Sequence, residues 1–199
     1  MIIGLTGGIG SGKSTIARQL REMGYAVYDT DSEAKRLIVE DAHVRQQMEQ
    51  LFGKEVYANG VYQTALVAQR VFADRSLLSQ LNNIVHPAVR ADILRWATVQ
   101  DSPSFRKGLG VGLFFVECAI LYQAGFDKLC DKVIVVTAPE EIRLARAVAR
   151  DHSTIEKVRA RMRAQETEKD ILRADLVINN DGKTPIPTLC EEIIRYLTR

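Results

Sequence analysis

The amino-acid sequence predicts an α/β fold built around a mostly parallel sheet of five strands. Five short apolar runs alternate with stretches of helical periodicity, and this alternation is typical of strands joined by crossover helices. The first run leads through a glycine-rich turn into a helical pattern that Gly24 closes. A chain of 199 residues, with 46% apolar and 26% charged residues, fits one domain with one or two insertions. The predicted strands cover residues 2–6, 25–28, 113–116, 133–136 and 176–178.

A long helical insertion follows the second predicted strand. From residue 32 to about residue 100 the sequence has an amphipathic helical pattern and no convincing strand. Residues 101–108 have the composition of a linker that returns the chain to the sheet. Breaks between helices are predicted at three dipeptides, Phe52-Gly53, Asn59-Gly60 and His86-Pro87.

The overall composition excludes several classes of protein. With 27 basic and 25 acidic residues, the net charge of +2 does not indicate a nucleic-acid-binding surface or a polybasic membrane anchor. Three cysteines, Cys118, Cys130 and Cys190, are too few for a disulfide framework and lack the spacing of a zinc site. The apolar window 111–126 contains Glu117 and is too short for a membrane span, so we interpret it as a buried strand that enters a helix. The N-terminus has no signal-peptide or transit-peptide pattern, and we therefore expect a cytoplasmic protein that binds neither nucleic acid nor membrane.

Residues 7–14, Gly-Gly-Ile-Gly-Ser-Gly-Lys-Ser, match the phosphate-binding pattern G-x-x-x-x-G-K-[ST]. They lie between a predicted strand and a predicted helix, which is the context that the pattern requires. Glycines let the backbone curl so that successive N–H groups face one anion, and the helix N-terminus adds partial positive charge. Lys13 is expected to reach the β- and γ-phosphates of a nucleotide, and the Ser14 hydroxyl to hold Mg²⁺. The predicted nucleotide-binding residues here are Gly8, Gly10, Ser11, Gly12, Lys13, Ser14 and Thr15.

Two carboxylates at the ends of predicted strands are candidates for the chemistry. Asp31 follows the second strand, and ligands of open α/β sheets bind outside the carboxyl ends of strands. Asp31 is therefore predicted to orient an acceptor hydroxyl and to accept its proton. The alternative is that Asp29 or Asp31 caps the helix that begins near Ser32. Glu117 closes the third strand and is predicted to order Mg²⁺ through water, or alternatively to act as a structural acid.

The basic residues concentrate in one stretch. Residues 143–163 contain seven Lys/Arg and two acidic residues, which gives +5 and leaves −3 for the rest of the chain. Arg143, Arg146 and Arg150 are spaced i, i+3 and i+7, so in a helix they share one side. We predict a lid that closes over a triphosphate, with Arg146 or Arg150 as phosphate contacts. The alternative is a solvated basic face.

Among proteins with this kind of loop, the sequence favours a small-molecule kinase. A switch GTPase needs the strings N-K-x-D and D-x-x-G, and the chain contains neither. A chain of 199 residues is also too short for a helicase or a transporter ATPase. Small-molecule kinases remain, and in them the insertion after the second strand binds the phosphate acceptor.

Further short motifs follow the first one in a fixed order. As they stand in this chain, they are Gly4-Leu-Thr-Gly-Gly-Ile-Gly-Ser-Gly-Lys-Ser-Thr15, Asp29-Thr30-Asp31, Phe52-Gly53, Val71-Phe72, His86-Pro87, Arg150-Asp151, Gln165, Ala174-Asp175 and Asn180. The ordered set resembles the dephospho-CoA kinase family, and the resemblance covers nearly the whole chain. The first string alone is shared in part with other kinases, whereas the set is not.

The resemblance implies a fold and a reaction. The fold is that of the P-loop NTPases, a three-layer α/β/α arrangement with a helical insertion and a lid. The reaction transfers a phosphoryl group from ATP, with Mg²⁺, to the ribose 3′-hydroxyl of dephospho-CoA, which completes CoA biosynthesis. The predicted parts are a nucleotide-binding core (residues 1–31, 102–145 and 170–199), a helical acceptor subdomain (32–101) and a basic lid (146–169).

The resemblance also implies roles for individual residues. It gives catalytic roles to Asp31, Lys13 and Arg146, with Asp31 matching the family's catalytic aspartate. Beside the loop residues, it gives nucleotide contacts to Arg146, Arg150 and Asn180. Acceptor contacts fall to Asp31, Lys35 and His86.

The chain departs from the family pattern at four positions. Ala119 and Gln123 stand where a proline and an acid are common, and Thr64 and Lys35 stand where arginines are common.

Two other interpretations stay open: another small-molecule kinase, such as a nucleoside monophosphate or shikimate-type kinase, and a regulatory protein that binds ATP without turnover. Asp31 argues against the regulatory protein. A monomer or a weak homo-oligomer is expected.

Overall fold

The chain folds into two units, of which the first is Met1–Tyr28 together with Ala97–Arg199 and the second is Asp29–Trp96. The computed structural model describes residues 1–100, 112–165 and 167–199. The predicted linker at 101–108 lies outside these described residues.

A five-stranded sheet forms the framework of the first unit. Its strand order is β2-β3-β1-β4-β5, and β1 pairs in parallel with β3 and β4, as β4 does with β5. The predicted α/β fold with five strands is therefore confirmed, and each strand boundary lies within one residue of its predicted position. The strands are β1 (Ile2–Thr6), β2 (Ala26–Asp29), β3 (Phe114–Glu117), β4 (Lys132–Thr137) and β5 (Leu176–Asn179).

Helices connect the strands and make up the second unit. None of the helices in the described ranges is both long and apolar enough to cross a membrane. In chain order they are α1 (Lys13–Glu22), α2 (Thr30–Glu40), α3 (Ala42–Phe52), α4 (Thr64–Ala73), α5 (Ser76–Gln100), α6 (Glu140–Asp151), α7 (Ile155–Arg163), α8 (Thr167–Leu172) and α9 (Ile186–Leu197), with short 3-10 segments at Lys54–Gly60 and Phe126–Leu129.

The core of the first unit lies between the sheet and helices α1 and α9. Leu5 of β1 and Ile134 of β4 are fully buried against Ile16 and Leu20 of α1 and Ile193 of α9. Burying one such side chain contributes about 1.5–3 kcal/mol. This packing fixes the position of α1 on the sheet, and with it the loop that joins β1 to α1.

The second unit has an apolar core of its own. Met48 and Phe52 of α3 pack with Val56, Tyr57 and Val67, all of them buried. The Tyr57 hydroxyl donates a 2.6 Å hydrogen bond to the carbonyl oxygen of Ile38 at the end of α2. This hydrogen bond links α2 to the 3-10 segment that follows α3.

Two of the three predicted helix breaks are confirmed, and one is wrong. Helix α3 ends at Phe52 because Gly53 adopts φ +80°, and Asn59 adopts the left-handed φ of +54°. At His86-Pro87, however, α5 continues without interruption. Proline removes only one intrahelical hydrogen bond, and the buried side chains on both sides of it, Val85 and Val89, hold the helix together.

The apolar window 111–126 contains the expected buried strand, β3, but the predicted entry into a helix is wrong. Residues 119–125 form hydrogen-bonded turns that lead to the 3-10 segment Phe126–Leu129. The Phe126 N–H bonds to the Leu121 carbonyl, and Gly125 has φ +69°. Left-handed Gly125 closes the turn before an α-helix can propagate.

The uninterrupted course of α5 leads to a stability prediction for Pro87. Pro87→Ala supplies an N–H that can bond to the carbonyl of residue 83, so the free energy of unfolding should rise by about 1–3 kcal/mol in urea unfolding followed by circular dichroism. Pro187→Ala is the matched control, since Pro187 is at the start of α9, where the N–H has no intrahelical partner. The control should change stability by less than about 1 kcal/mol. A lower unfolding free energy for Pro87→Ala would contradict the expectation.

Candidate active site

The loop between β1 and α1 has the backbone shape of a phosphate-binding loop. Gly10 and Gly12 have φ of +76° and +89°, a region in which side chains with a Cβ are strained. The first turn of α1 contains no acidic residue, and its N-cap, Gly12, offers no side-chain acceptor to the free N–H groups. The N-terminus of α1 therefore keeps its N–H groups and its partial positive charge for an anion.

Glu117 accepts hydrogen bonds from the two side chains at the start of α1 that are predicted to bind phosphate and Mg²⁺. Its Oε1 accepts hydrogen bonds from Lys13 Nζ at 2.8 Å and from Ser14 Oγ at 2.6 Å. The side chains of Lys13 and Glu117 are only 12% and 6% exposed. Parallel pairing of β1 with β3 sets Glu117 beside Leu5, which brings a residue more than a hundred positions away to the loop.

Asn180 supports the loop from behind. Its Nδ2 donates a 2.8 Å hydrogen bond to the Ser11 carbonyl, and its backbone N–H donates to Thr137 at 2.8 Å. A Cβ on Gly12 would lie 2.1 Å from Asn180 Nδ2, so glycine is required there for space as well as for backbone conformation. Asn180, which the sequence placed among nucleotide contacts, is buried and bonded to the loop.

The predicted basic lid, residues 146–169, includes the second half of α6 and all of α7, and it contacts the loop. Ile9 packs on the buried cluster of Ala147, Val158 and Met162. Its N–H donates to Gln165 Oε1 at 2.8 Å. Sequence reasoning missed this attachment, although Gln165 was among the quoted motifs, because nothing in the local pattern pairs it with Ile9.

The arginines of α6 have different surroundings. Arg146 donates from Nη1 to the Asn180 carbonyl at 3.0 Å, next to the loop. Arg150 is bound to Asp151 at 2.7 Å, and Asp151 also accepts from Arg161 at 2.5 Å. These two arginines lower the pKa of Asp151 to about 2.

Arg143 differs from the other arginines because its Nε is buried without a hydrogen-bond partner in the described part of the chain. Burial lowers the pKa of Arg143, and Glu140 opposes that shift. The Arg143 carbonyl also packs against the loop, since a Cβ on Gly10 would lie 2.1 Å from it. A partly desolvated cation therefore lies beside the loop.

In the second unit, Asp29 at the end of β2 and Asp31 at the start of α2 have different surroundings. Asp29 caps α2 by accepting from the N–H groups of Asp31 at 3.0 Å and Ser32 at 3.3 Å. The Asp31 side chain takes no part in the cap and is exposed. Lys35, one turn further along α2, is exposed on the same side as Asp31. Asp29 is therefore the residue that caps α2, and the Asp31 carboxylate remains available to bind a ligand.

His86 lies on α5 and is half-buried. Burial lowers the pKa of its imidazole, so the neutral form predominates at pH 7. A neutral imidazole can donate one hydrogen bond and accept another.

Comparisons with known proteins give a consistent picture. A family model described as dephospho-CoA kinase matches residues 1–185. Dephospho-CoA kinase of Porphyromonas gingivalis is 44% identical over 172 residues, which cover 86% of this chain and 81% of the relative. The Chlorobaculum tepidum enzyme of the same name is 41% identical over 188 residues, covering 92% and 87%.

Solved structures agree in fold. A dephospho-CoA kinase structure from Campylobacter jejuni superposes with a TM-score of 0.70 at 25% identity and covers 98% of this chain and 96% of its own. A Thermus thermophilus structure gives a TM-score of 0.79 at 33% identity, covering 100% and 96%. A shikimate kinase from Acinetobacter baumannii, at 18% identity and TM-score 0.57 with coverage of 99% and 92%, shares the fold.

Support of the loop by Asn180 can be tested with a pair of neighbouring asparagines. Asn180→Ala removes the donor to the Ser11 carbonyl, so affinity for a nucleoside triphosphate with Mg²⁺, measured by calorimetry, should fall about tenfold. Asn179→Ala, at the exposed last residue of β5 and next to Asn180, should stay within about twofold of the parent protein. Equal affinities for the two variants would show that the loop does not need this contact.

Proposed function

Because the chain belongs to the dephospho-CoA kinase family, we propose that it transfers the γ-phosphoryl group of ATP to the ribose 3′-hydroxyl of dephospho-CoA. The products are ADP and CoA, and the reaction is the final step of CoA biosynthesis. The observation that carries the proposal is the convergence of Lys13 and Ser14 on Glu117 beside the glycine loop. This arrangement supplies the cation and the hydroxyl that phosphoryl transfer requires.

ATP is proposed to bind along the loop and the first turn of α1. The backbone N–H groups surround the phosphates, and Lys13 leaves Glu117 to bind the β- and γ-phosphates. Arg146, next to Asn180, offsets charge that develops during transfer, and Arg150 is proposed to add a second contact after releasing Asp151. The loop residues assigned to the nucleotide are Gly8, Gly10, Ser11, Gly12, Lys13, Ser14 and Thr15.

Mg²⁺ fits the oxygen groups around Ser14. The Ser14 hydroxyl lies 2.6 Å from Glu117 Oε1, and such hard oxygen donors are the ligands that Mg²⁺ prefers. The described ranges contain no group of three or more His, Cys, Asp or Glu side chains that could hold a metal. The chain's share is therefore Ser14 as a ligand and Glu117 as a contact through water. When bound, the ion neutralises charge on the transferred phosphate.

Asp31 is proposed to act on the acceptor. Its carboxylate accepts the proton of the 3′-hydroxyl while that oxygen bonds to the γ-phosphorus, and the bond from the γ-phosphorus to the bridging oxygen breaks to release ADP. Because Asp29 provides the cap of α2, Asp31 is free for this role. In a loose transition state, orientation of the hydroxyl contributes more than removal of its proton.

Lys35 and His86 are proposed as acceptor contacts. Lys35 is exposed on the same side of α2 as Asp31, where a positive charge suits the diphosphate of dephospho-CoA. His86, kept neutral by burial, can bond to a hydroxyl or an amide of the acceptor.

The substrates are small molecules, and we propose that the enzyme works in the cytoplasm without nucleic acid or membrane. Cys118 and Cys190 are buried and unbridged, as suits a reducing compartment. A monomer or a weak homo-oligomer suffices for the reaction.

The function is tested by ADP release from ATP and Mg²⁺ with a panel of acceptors. The panel is dephospho-CoA, AMP, CMP, shikimate, gluconate and no acceptor, and turnover should be confined to dephospho-CoA with CoA as the product. Turnover with another acceptor would retain the phosphoryl-transfer chemistry and reject the substrate. Binding of ATP without turnover would favour a regulatory protein.

The neighbouring aspartates give a matched pair for the role of Asp31. Asp31→Asn removes the negative charge that orients the 3′-hydroxyl as well as the proton acceptor, so kcat should fall about 10²–10⁴-fold while the unfolding transition is unchanged. Asp29→Asn keeps an efficient N-cap and should retain kcat within a few fold. Near-normal kcat for Asp31→Asn would remove Asp31 from the mechanism.

A further inference from the structure

An ion-pair cluster joins α2 to α5 in the second unit. Arg36 Nη2 on α2 donates to Asp92 Oδ2 on α5 at 2.7 Å, and Arg36 Nε donates to Glu33 on its own helix at 2.5 Å. Arg95 adds a second contact to Asp92 at 2.9 Å, within α5. The Asp92 side chain is 13% exposed and that of Arg36 is 40% exposed. None of the roles proposed above uses this cluster.

Helix α2 has little apolar packing of its own. Its buried residues are Thr30 and Leu37, and the Thr30 hydroxyl has no hydrogen-bond partner in the described ranges. The C-terminal half of α2 is held through its backbone, by Tyr57 on the Ile38 carbonyl and by Arg45 on the Val39 carbonyl. Arg36 lies between these attachments and the N-terminal turn that carries Asp31.

Arg36 joins α2 to α5 at one side of the helix, so this contact opposes rotation of α2 about its axis. Asp31 precedes it by five residues, so the two side chains leave the helix about 140° apart. A carboxylate lies about 5–6 Å from the helix axis, so a rotation of roughly 10° moves it by about 1 Å. A displacement of about 1 Å at a reacting group can reduce the rate about a hundredfold.

We propose that the Arg36–Asp92 ion pair is a positioning contact for phosphoryl transfer, which fixes the rotation of α2 and thereby the direction of the Asp31 carboxylate. Arg36 suits this role because its planar fork bonds Glu33 and Asp92 at once. The inference rests on the proposed function of Asp31.

The test compares Asp92→Asn and Arg36→Gln with the parent enzyme. Each should lower kcat for dephospho-CoA at least tenfold, whereas the Kd for ATP with Mg²⁺, measured by calorimetry, should stay within twofold because the nucleotide residues belong to the first unit. The Arg36 end of the pair is 40% exposed, and Asp92→Asn and Arg36→Gln keep polar side chains that can still form hydrogen bonds, so the Tm should change by less than about 4 °C. A loss of kcat without loss of stability or ATP binding separates positioning from general unfolding.

Two further variants complete the design. Arg95→Gln removes the other arginine on Asp92 but leaves the contact between the helices, and it should keep kcat within twofold. In an Asp31→Asn background, Asp92→Asn should cause no further decrease, because the group that the ion pair orients is already absent.

Each outcome decides the matter. Parent-like kcat for Asp92→Asn and Arg36→Gln, or a full additional decrease in the Asp31→Asn background, would overturn the inference and leave the proposed function intact. A decrease in ATP affinity and in Tm alongside kcat would also overturn it, in favour of a general structural role. Failure of the parent enzyme to phosphorylate dephospho-CoA would refute the proposed function. If none of the acceptors on the panel is phosphorylated, both the proposed function and the positioning role of the ion pair would be refuted.

Discussion

The phosphate-binding loop must leave the N–H groups at the start of α1 available for an anion, and the rest of the first unit is arranged around that constraint. The loop therefore cannot stabilise itself with the hydrogen bonds of a regular helix or strand. The Ser11 carbonyl accepts a hydrogen bond from Asn180, and the N–H of Ile9, within the loop, donates to Gln165. Gly12 leaves the space that Asn180 occupies. The loop is thus held in shape by partners outside it.

The same arrangement offsets the free-energy cost of shielding the Lys13 ammonium group from water. Lys13 is almost fully shielded from solvent and pairs with Glu117, which also accepts from Ser14. A buried cation without such a partner would be strongly destabilising. Phosphates can replace Glu117 as the partner of Lys13, so one carboxylate serves both the folded protein and the reaction that we propose.

In the second unit, different polar residues cap α2, carry the exposed carboxylate and bind α2 to α5. Asp29 accepts hydrogen bonds from the N–H groups at the start of α2, so the Asp31 side chain does not cap the helix. Arg36, on another side of the same short helix, makes the contact to α5. A helix with few buried side chains can in this way carry an exposed reactive carboxylate and still have a defined orientation.

The sequence by itself determined the features that depend on near neighbours along the chain. The five strands, the glycine loop and the break at Gly53 follow from periodicity and local steric limits. Tertiary structure decided the contacts between distant residues, such as Lys13 with Glu117, 104 positions apart, and Asn180 with Ser11, 169 positions apart. It also decided that α5 runs through Pro87, because burial on both sides outweighs one lost hydrogen bond. Local sequence carries no record of such partners, since strand pairing and helix packing bring them together only in the folded chain.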